Sequence, residues 1–97
     1  MILRAYGSAE SVHRHHPRYA ELTELIPASV GTRQYYLMDV DLVQTSCGYA
    51  VPFFDYNEDR VALDKWAEKR GDDGIAEYWS EKNQLSLDGK PTGVLPS

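Results

Sequence analysis

The sequence predicts an α+β domain in which antiparallel strands are followed by a C-terminal pair of helices. Three observations lead to this class. Residues 33–46 alternate on a period of two, which is the pattern of a half-buried strand. Residues 59–70 and 73–84 place apolar side chains at helical spacing instead. The junction between these two segments is short enough to require a tight reversal or bend.

The N-terminal part predicts a strand over 2–12 and a helix over 17–26. Gly7 interrupts the strand and indicates a bulge or a sharp bend. Pro17 is favoured at a first helical position, and Pro27 ends the helix.

The second strand, 33–46, has one apolar face and one half-polar face. The alternation predicts that the apolar face consists of Tyr36, Met38, Val40 and Leu42. The segment that follows is rich in glycine, proline and aromatic residues. Because Pro52 cannot donate a hydrogen bond to a sheet, we expect an edge strand or an ordered loop there.

Each C-terminal helix is predicted to bury an apolar stripe against the sheet, with Gly71 as the C-terminal cap of the first. The stripes are Ala62, Leu63, Trp66 and Ala67, followed by Ile75, Tyr78 and Trp79. The resulting single domain, 1–97, comprises strands with one connecting helix (1–54), a helical pair (55–85) and an extended tail (86–97).

Two strands cannot form an independent sheet, because both outer edges remain unpaired. The first strand also begins at the start of the chain. We therefore expect that other chains supply neighbouring strands, or that the chain is the C-terminal part of a larger fold. The apolar face and the open edges predict a homodimer or a higher oligomer.

Composition excludes several classes of protein. The net charge of −5 argues against nucleic acid as a partner, and no apolar run approaches the length of a membrane span. The N-terminus does not resemble a signal peptide, which predicts a cytoplasmic location. Cys47 is the single cysteine, so an internal disulfide is excluded.

Two possible reactive sites are not favoured by their sequence context. His13 and His15 lie on one side of a strand, but no spaced third ligand is evident, so no metal site is predicted. Cys47 has no neighbouring cation that would activate a thiolate, so a buried structural cysteine is favoured over a nucleophile.

Two motifs resemble a known family. Residues 44–52 read QTSCGYAVP, which matches a Q-T-S-C-G-Y-G-V-P motif except at Ala50, and residues 88–93 match D-G-x-P-T-G. The chain resembles the C-terminal half of FMN-binding split-barrel proteins related to pyridoxamine 5′-phosphate oxidase, and is most similar to a bacterial branch of that family.

The resemblance implies part of a split β-barrel that dimerises around FMN, and a flavin-dependent oxidoreductase in full-length members. It places the flavin ring at the end of the second strand, against Gln44, Thr45, Ser46, Cys47, Gly48 and Tyr49. The half that provides most of the phosphate contacts has no counterpart in this sequence. We therefore expect weak or absent FMN binding by this chain alone, unless Arg4 or Arg33 reaches the phosphate. No catalytic residue is identified.

Two further functions remain open. One is a catalytically silent family member that acts as a structural or interaction module through oligomerisation. The other is a small-ligand binder whose cavity is lined by Tyr35, Leu37 and residues 44–49.

Overall fold

The computed structural model describes residues 1–96 as two long antiparallel strands, a short helix and a long bent helix. The elements are β1 (Ile2–His13), α1 (Tyr19–Leu25), β2 (Gln34–Ser46) and α2 (Ala62–Lys82). The predicted α+β class is confirmed, and the two-stranded arrangement is consistent with part of a split barrel.

The predicted irregularity at Gly7 is present as a bulge in the sheet. Tyr6 lies opposite Leu42 whereas Gly7 lies opposite Val40, so Asp41 is the extra residue on β2. A Cβ atom on residue 7 would lie 1.9 Å from the Asp39 carbonyl oxygen, so this close approach requires glycine.

The bulge changes which side chains share a face. Because directly opposed residues project to the same side, Leu42 shares the face of Tyr6 and not that of Val40. The prediction that Leu42 belongs with Tyr36, Met38 and Val40 is therefore wrong. We call the side that carries these three residues the open face; its apolar side chains are those of Leu3, Ala5, Ala9, Tyr36, Met38, Val40 and Val43.

α1 contacts the other face of the sheet. The Tyr19 and Tyr35 rings lie 5.3 Å apart, and the Tyr35 hydroxyl donates a hydrogen bond to the Ile26 carbonyl. Leu22 is the buried residue of this helix, whereas Leu25 and Ile26 are exposed.

α2 consists of two helical arms that meet at Gly71. This is the position at which the sequence predicted the end of the first C-terminal helix. Gly71 has a φ of 70°, which glycine adopts without the steric cost of a Cβ atom. The first arm begins at Ala62 and not at the predicted Asp59. Its N-cap residue is Val61, and the Asp59 carboxylate accepts a hydrogen bond from the Tyr56 hydroxyl.

The core lies between α2, the loop before β2 and the C-terminal tail. It contains Ala67, Ile75, Trp79 and Val94, with Val30 and Leu95 packed against them. The prediction that the α2 stripes cover the sheet is therefore wrong. Leu63 is exposed, and Trp66 retains 37% of its surface in solvent.

The tail is not the extended arm that the sequence predicted. It turns back at residues 86–90, forms an isolated bridge between Leu85 and Pro91, and buries Val94 in the core. This contact makes the tail part of the folded unit.

Within residues 1–96, the C-terminal tail approaches only the Tyr36 end of the open face, and the rest of this face is uncovered. Leu3, Val40 and Val43 each expose more than half of their surface, and the radius of gyration is 17.2 Å. A compact domain of this length has a radius of about 13 Å. The sheet therefore presents an apolar surface and two free edges.

Candidate functional site

A cluster of polar side chains lies where β1 begins and β2 ends. Arg4 is opposite Gln44, and Ile2 is opposite Ser46. The Arg4 guanidinium donates a hydrogen bond of 2.9 Å to the Ser46 hydroxyl, and the Tyr6 hydroxyl donates one of 3.4 Å to the Gln44 side-chain carbonyl. We call this group the Arg4–Gln44 cluster; it consists of Arg4, Tyr6, Gln44 and Ser46.

The bulge at Asp41 explains why these four side chains meet. Without the extra residue, Gln44 would project to the side opposite Tyr6 and Arg4, because strand side chains alternate. With it, Gln44 and Ser46 share a face with both residues of β1.

The predicted flavin-contacting residues do not all lie on this face. Thr45 is opposite Leu3 and therefore belongs to the open face. Cys47, Gly48 and Tyr49 lie beyond the end of β2. Of the six residues, the structure brings Gln44 and Ser46 into one cluster and leaves the others around the end of the strand.

Beyond β2 the chain turns beside the N-terminus. The Val51 amide donates a 3.0 Å hydrogen bond to the Gly48 carbonyl. A Cβ atom on Gly48 would lie 3.4 Å from the Met1 nitrogen. Cys47 is exposed and not the buried thiol that the sequence favoured, and Tyr49 exposes 98% of its surface.

From the sequence, Arg4 was predicted only as a potential phosphate contact, and Tyr6 was not assigned to the site. The signal that identifies both is the strand register, since antiparallel pairing fixes which residues of β1 face the end of β2. Arg33, the other proposed phosphate contact, precedes Gln34 at the opposite end of the strand. Ten residues of strand separate Gln34 from Gln44, which is about 33 Å.

The residues of the cluster fit the polar edge of a flavin. Gln44 offers both a donor and an acceptor, Ser46 offers a hydroxyl, and Arg4 is a cation with several donors. Tyr49 provides an aromatic ring near the strand end. These groups are exposed or half-exposed, so the site on this chain is an open edge and not an enclosed cavity.

The proposed small-ligand cavity is not formed. Tyr35 lies opposite Val12 and is bonded to Ile26, whereas Gln44 lies opposite Arg4, nine residues further along β2. At about 3.3 Å per residue, this is roughly 30 Å. Tyr35 and residues 44–49 therefore do not line one site.

The histidines form no metal site with a third ligand among residues 1–96. The His13 and His15 rings stack with their centroids 5.8 Å apart. The His16 Nδ1 atom accepts a hydrogen bond from the Arg18 amide, which fixes the turn before α1.

One curated protein is similar to the chain along most of its length. It is the pyridoxamine 5′-phosphate oxidase family protein ustO of Aspergillus flavus. It is 32% identical over an alignment of 107 positions, gaps included. The alignment covers 93% of this chain. This similarity supports the resemblance of the chain to the pyridoxamine 5′-phosphate oxidase family.

The similarity extends over only part of the relative. The chain spans 42% of the length of the pyridoxamine 5′-phosphate oxidase family protein that it matches. No family model matches the chain. No solved structure matches it either. Among residues 1–96, neither helix is both long and apolar enough to cross a membrane.

Proposed function

We propose that the chain is part of an FMN-binding split-barrel protein related to pyridoxamine 5′-phosphate oxidase, and that the full-length form is a flavin-dependent oxidoreductase. The main support is the Arg4–Gln44 cluster. The strand register places a cation and a phenol beside the strand end at which the sequence motif suggests a flavin.

Each residue of the cluster has a distinct role in this proposal. Gln44 and Ser46 bind the pyrimidine edge of the ring through donors and acceptors, and Tyr6 orients the Gln44 amide through their hydrogen bond. Tyr49 packs against the ring once a ligand or a partner covers it. When bound, the flavin supplies the redox chemistry, and the protein orients it and excludes water.

Phosphate binding is the weak element of the site. Arg4 is the cation of the cluster, and it already donates a hydrogen bond to Ser46. Arg33 lies at the far end of β2, too distant to assist. We therefore expect this chain to bind FMN with micromolar or weaker affinity.

The surface that the fold leaves uncovered supports oligomerisation. The open face and the free strand edges bury apolar area and satisfy backbone groups when further strands are added. Exposed Phe53, Phe54 and Tyr56 extend the apolar surface beyond β2. We propose a homodimer or a higher oligomer, located in the cytoplasm.

The alternative is a catalytically silent family member that acts as an interaction module. The exposed apolar surface favours this function independently of the flavin, since it indicates a contact with another polypeptide. It predicts a stable oligomer that binds no flavin.

Titration of FMN with the 97-residue chain, monitored by flavin fluorescence, distinguishes the two functions. The first predicts saturable, weak binding that Arg4→Gln weakens and Lys69→Gln does not, because Lys69 lies on α2 outside the site. An oligomer in sedimentation without saturable binding supports the interaction module. Nanomolar affinity would refute the proposed lack of a phosphate site.

A further inference from the structure

A cavity of about 370 Å³ lies between the sheet and the C-terminal tail, away from the Arg4–Gln44 cluster. Its size falls within the range of about 300–1,000 Å³ that is typical of small-molecule sites. One wall is formed by the end of β1 and the start of β2, and the other by residues 83–94.

The tail wall is held in place by its own hydrogen bonds. The Ser86 amide donates to the Lys90 carbonyl at 2.8 Å, and the Thr92 amide donates to the Gln84 carbonyl at 3.0 Å. Val94 anchors the wall by packing in the core. The cavity is therefore formed by ordered backbone on both sides.

The charge of this cavity is opposite to that of the chain. The sequence contains fifteen acidic residues and has a net charge of −5, yet no carboxylate lines the cavity among residues 1–96. Arg33 and His13 line it together with hydroxyl and amide side chains. This composition attracts anions and not cations.

Several donors in the cavity have no partner within residues 1–96. The Arg33 guanidinium forms no hydrogen bond or ion pair there, and neither does the Ser11 hydroxyl. The Tyr36 hydroxyl accepts a hydrogen bond from Gln34, which leaves its own proton available to donate. By contrast, the Ser86 hydroxyl donates a hydrogen bond to Asp88. It therefore stabilises the turn of the tail and is not available to a ligand as a donor.

We propose that this cavity binds the anionic group of a small organic molecule, a phosphate or a carboxylate, through Arg33 and His13. The Ser11 and Tyr36 hydroxyls complete the contacts. The guanidinium provides paired donors that match either oxyanion. The remaining cavity volume accommodates the organic part of the ligand.

This site is separate from the proposed flavin site. His13 pairs with Gln34, whereas Arg4 pairs with Gln44, so the two sites occupy opposite ends of the same sheet. Failure of FMN to bind therefore does not affect this proposal, and the converse also holds.

Titration with inorganic phosphate and with acetate, followed by amide chemical shifts, tests the proposal. We expect saturable shifts in residues 11–13 and 33–36. Arg33→Gln should weaken binding about tenfold or more, because losing one hydrogen bond to a charged group reduces an affinity by about that factor. Lys69→Gln removes the same charge from α2 and should leave the affinity unchanged.

A second variant tests the same site with a substitution that is not expected to affect folding. Tyr36→Phe removes one donor from an exposed side chain and should weaken binding while preserving the spectrum elsewhere. Tighter binding of phosphate or of acetate identifies the preferred group. Absence of saturation, or equal weakening by Lys69→Gln, would overturn the proposal.

Discussion

The guanidinium carbon of Arg14 lies 4.6 Å from the centroid of the Trp79 ring, while its nitrogens bind the carbonyls of Val30 and Thr32. One side chain thus joins the end of β1, the loop before β2 and the second arm of α2. This arrangement holds the core to the sheet. The apolar stripes of α2 were predicted to make this contact, but they pack against the loop before β2 and the tail instead.

Replacing Arg14 with lysine should destabilise the fold by about 2 kcal/mol, because an ammonium group cannot bind two carbonyls and stack on an indole at once. Urea unfolding monitored by tryptophan fluorescence measures the change. Asp72→Asn is the control. Its carboxylate lies 3.9 Å from Arg14 but is 82% exposed, so we expect a change below about 0.5 kcal/mol. Equal effects of the two substitutions would argue against the role of the carbonyl contacts.

Gly7→Ala should disrupt the sheet at the bulge. The new Cβ atom would lie 1.9 Å from the Asp39 carbonyl oxygen, so the backbones must separate. We expect a loss of at least about 2 kcal/mol of stability in thermal unfolding. Gly48→Ala introduces a Cβ atom whose nearest neighbour is 3.4 Å away, and it should be tolerated. A stable Gly7→Ala protein with an unchanged register would contradict the proposed close approach.

Trp79→Ala and Trp66→Ala should differ in effect. Trp79 is 7% exposed in the core, so its truncation should cost about 3–5 kcal/mol. Trp66 is partly exposed and contacts Tyr78 edge-on at 5.2 Å, with Arg70 over its ring at 4.8 Å. These contacts predict a loss of about 1 kcal/mol. Thermal melts of both variants show which substitution destabilises the fold more. A larger effect of Trp66→Ala would contradict this expectation and support the buried stripe that the sequence predicted.

Asp88 should titrate at lower pH than an ordinary aspartate. The Ser86 hydroxyl, and next Lys90, lower the pKa of its carboxyl from the usual 3.8. Because the folded pKa is lowered, the contribution to stability is present above pH 3.8 and is lost as the pH falls through the folded value. NMR titration of the carboxyl carbon measures this pKa, which Ser86→Ala should raise. An unchanged midpoint in that variant would exclude the hydroxyl as the main cause.

Local patterns predicted much of the fold. The alternation of residues 33–46 located β2 within one residue, and Gly7 marked the bulge. Gly71 marked the division between the helical arms, because its positive φ is a local requirement. Such features depend on the residues themselves and their immediate neighbours.

Features that depend on distant contacts were not predicted. The alternation of β2 could not indicate that Asp41 is the extra residue, so the face of Leu42 was assigned wrongly. Helical spacing grouped Leu63 with Trp66 but could not show that the loop before β2 and the tail, and not the sheet, cover α2. The Arg4–Gln44 cluster required the register, which sequence spacing alone does not determine.

Mapping FMN-induced amide shifts on the 97-residue chain tests the central claim most directly. We predict that the largest shifts fall on Arg4, Tyr6 and residues 44–49. Arg4→Gln should reduce them, while Lys69→Gln leaves them unchanged. Shifts confined to other parts of the chain, or none at millimolar FMN, would contradict a flavin site at this end of the sheet.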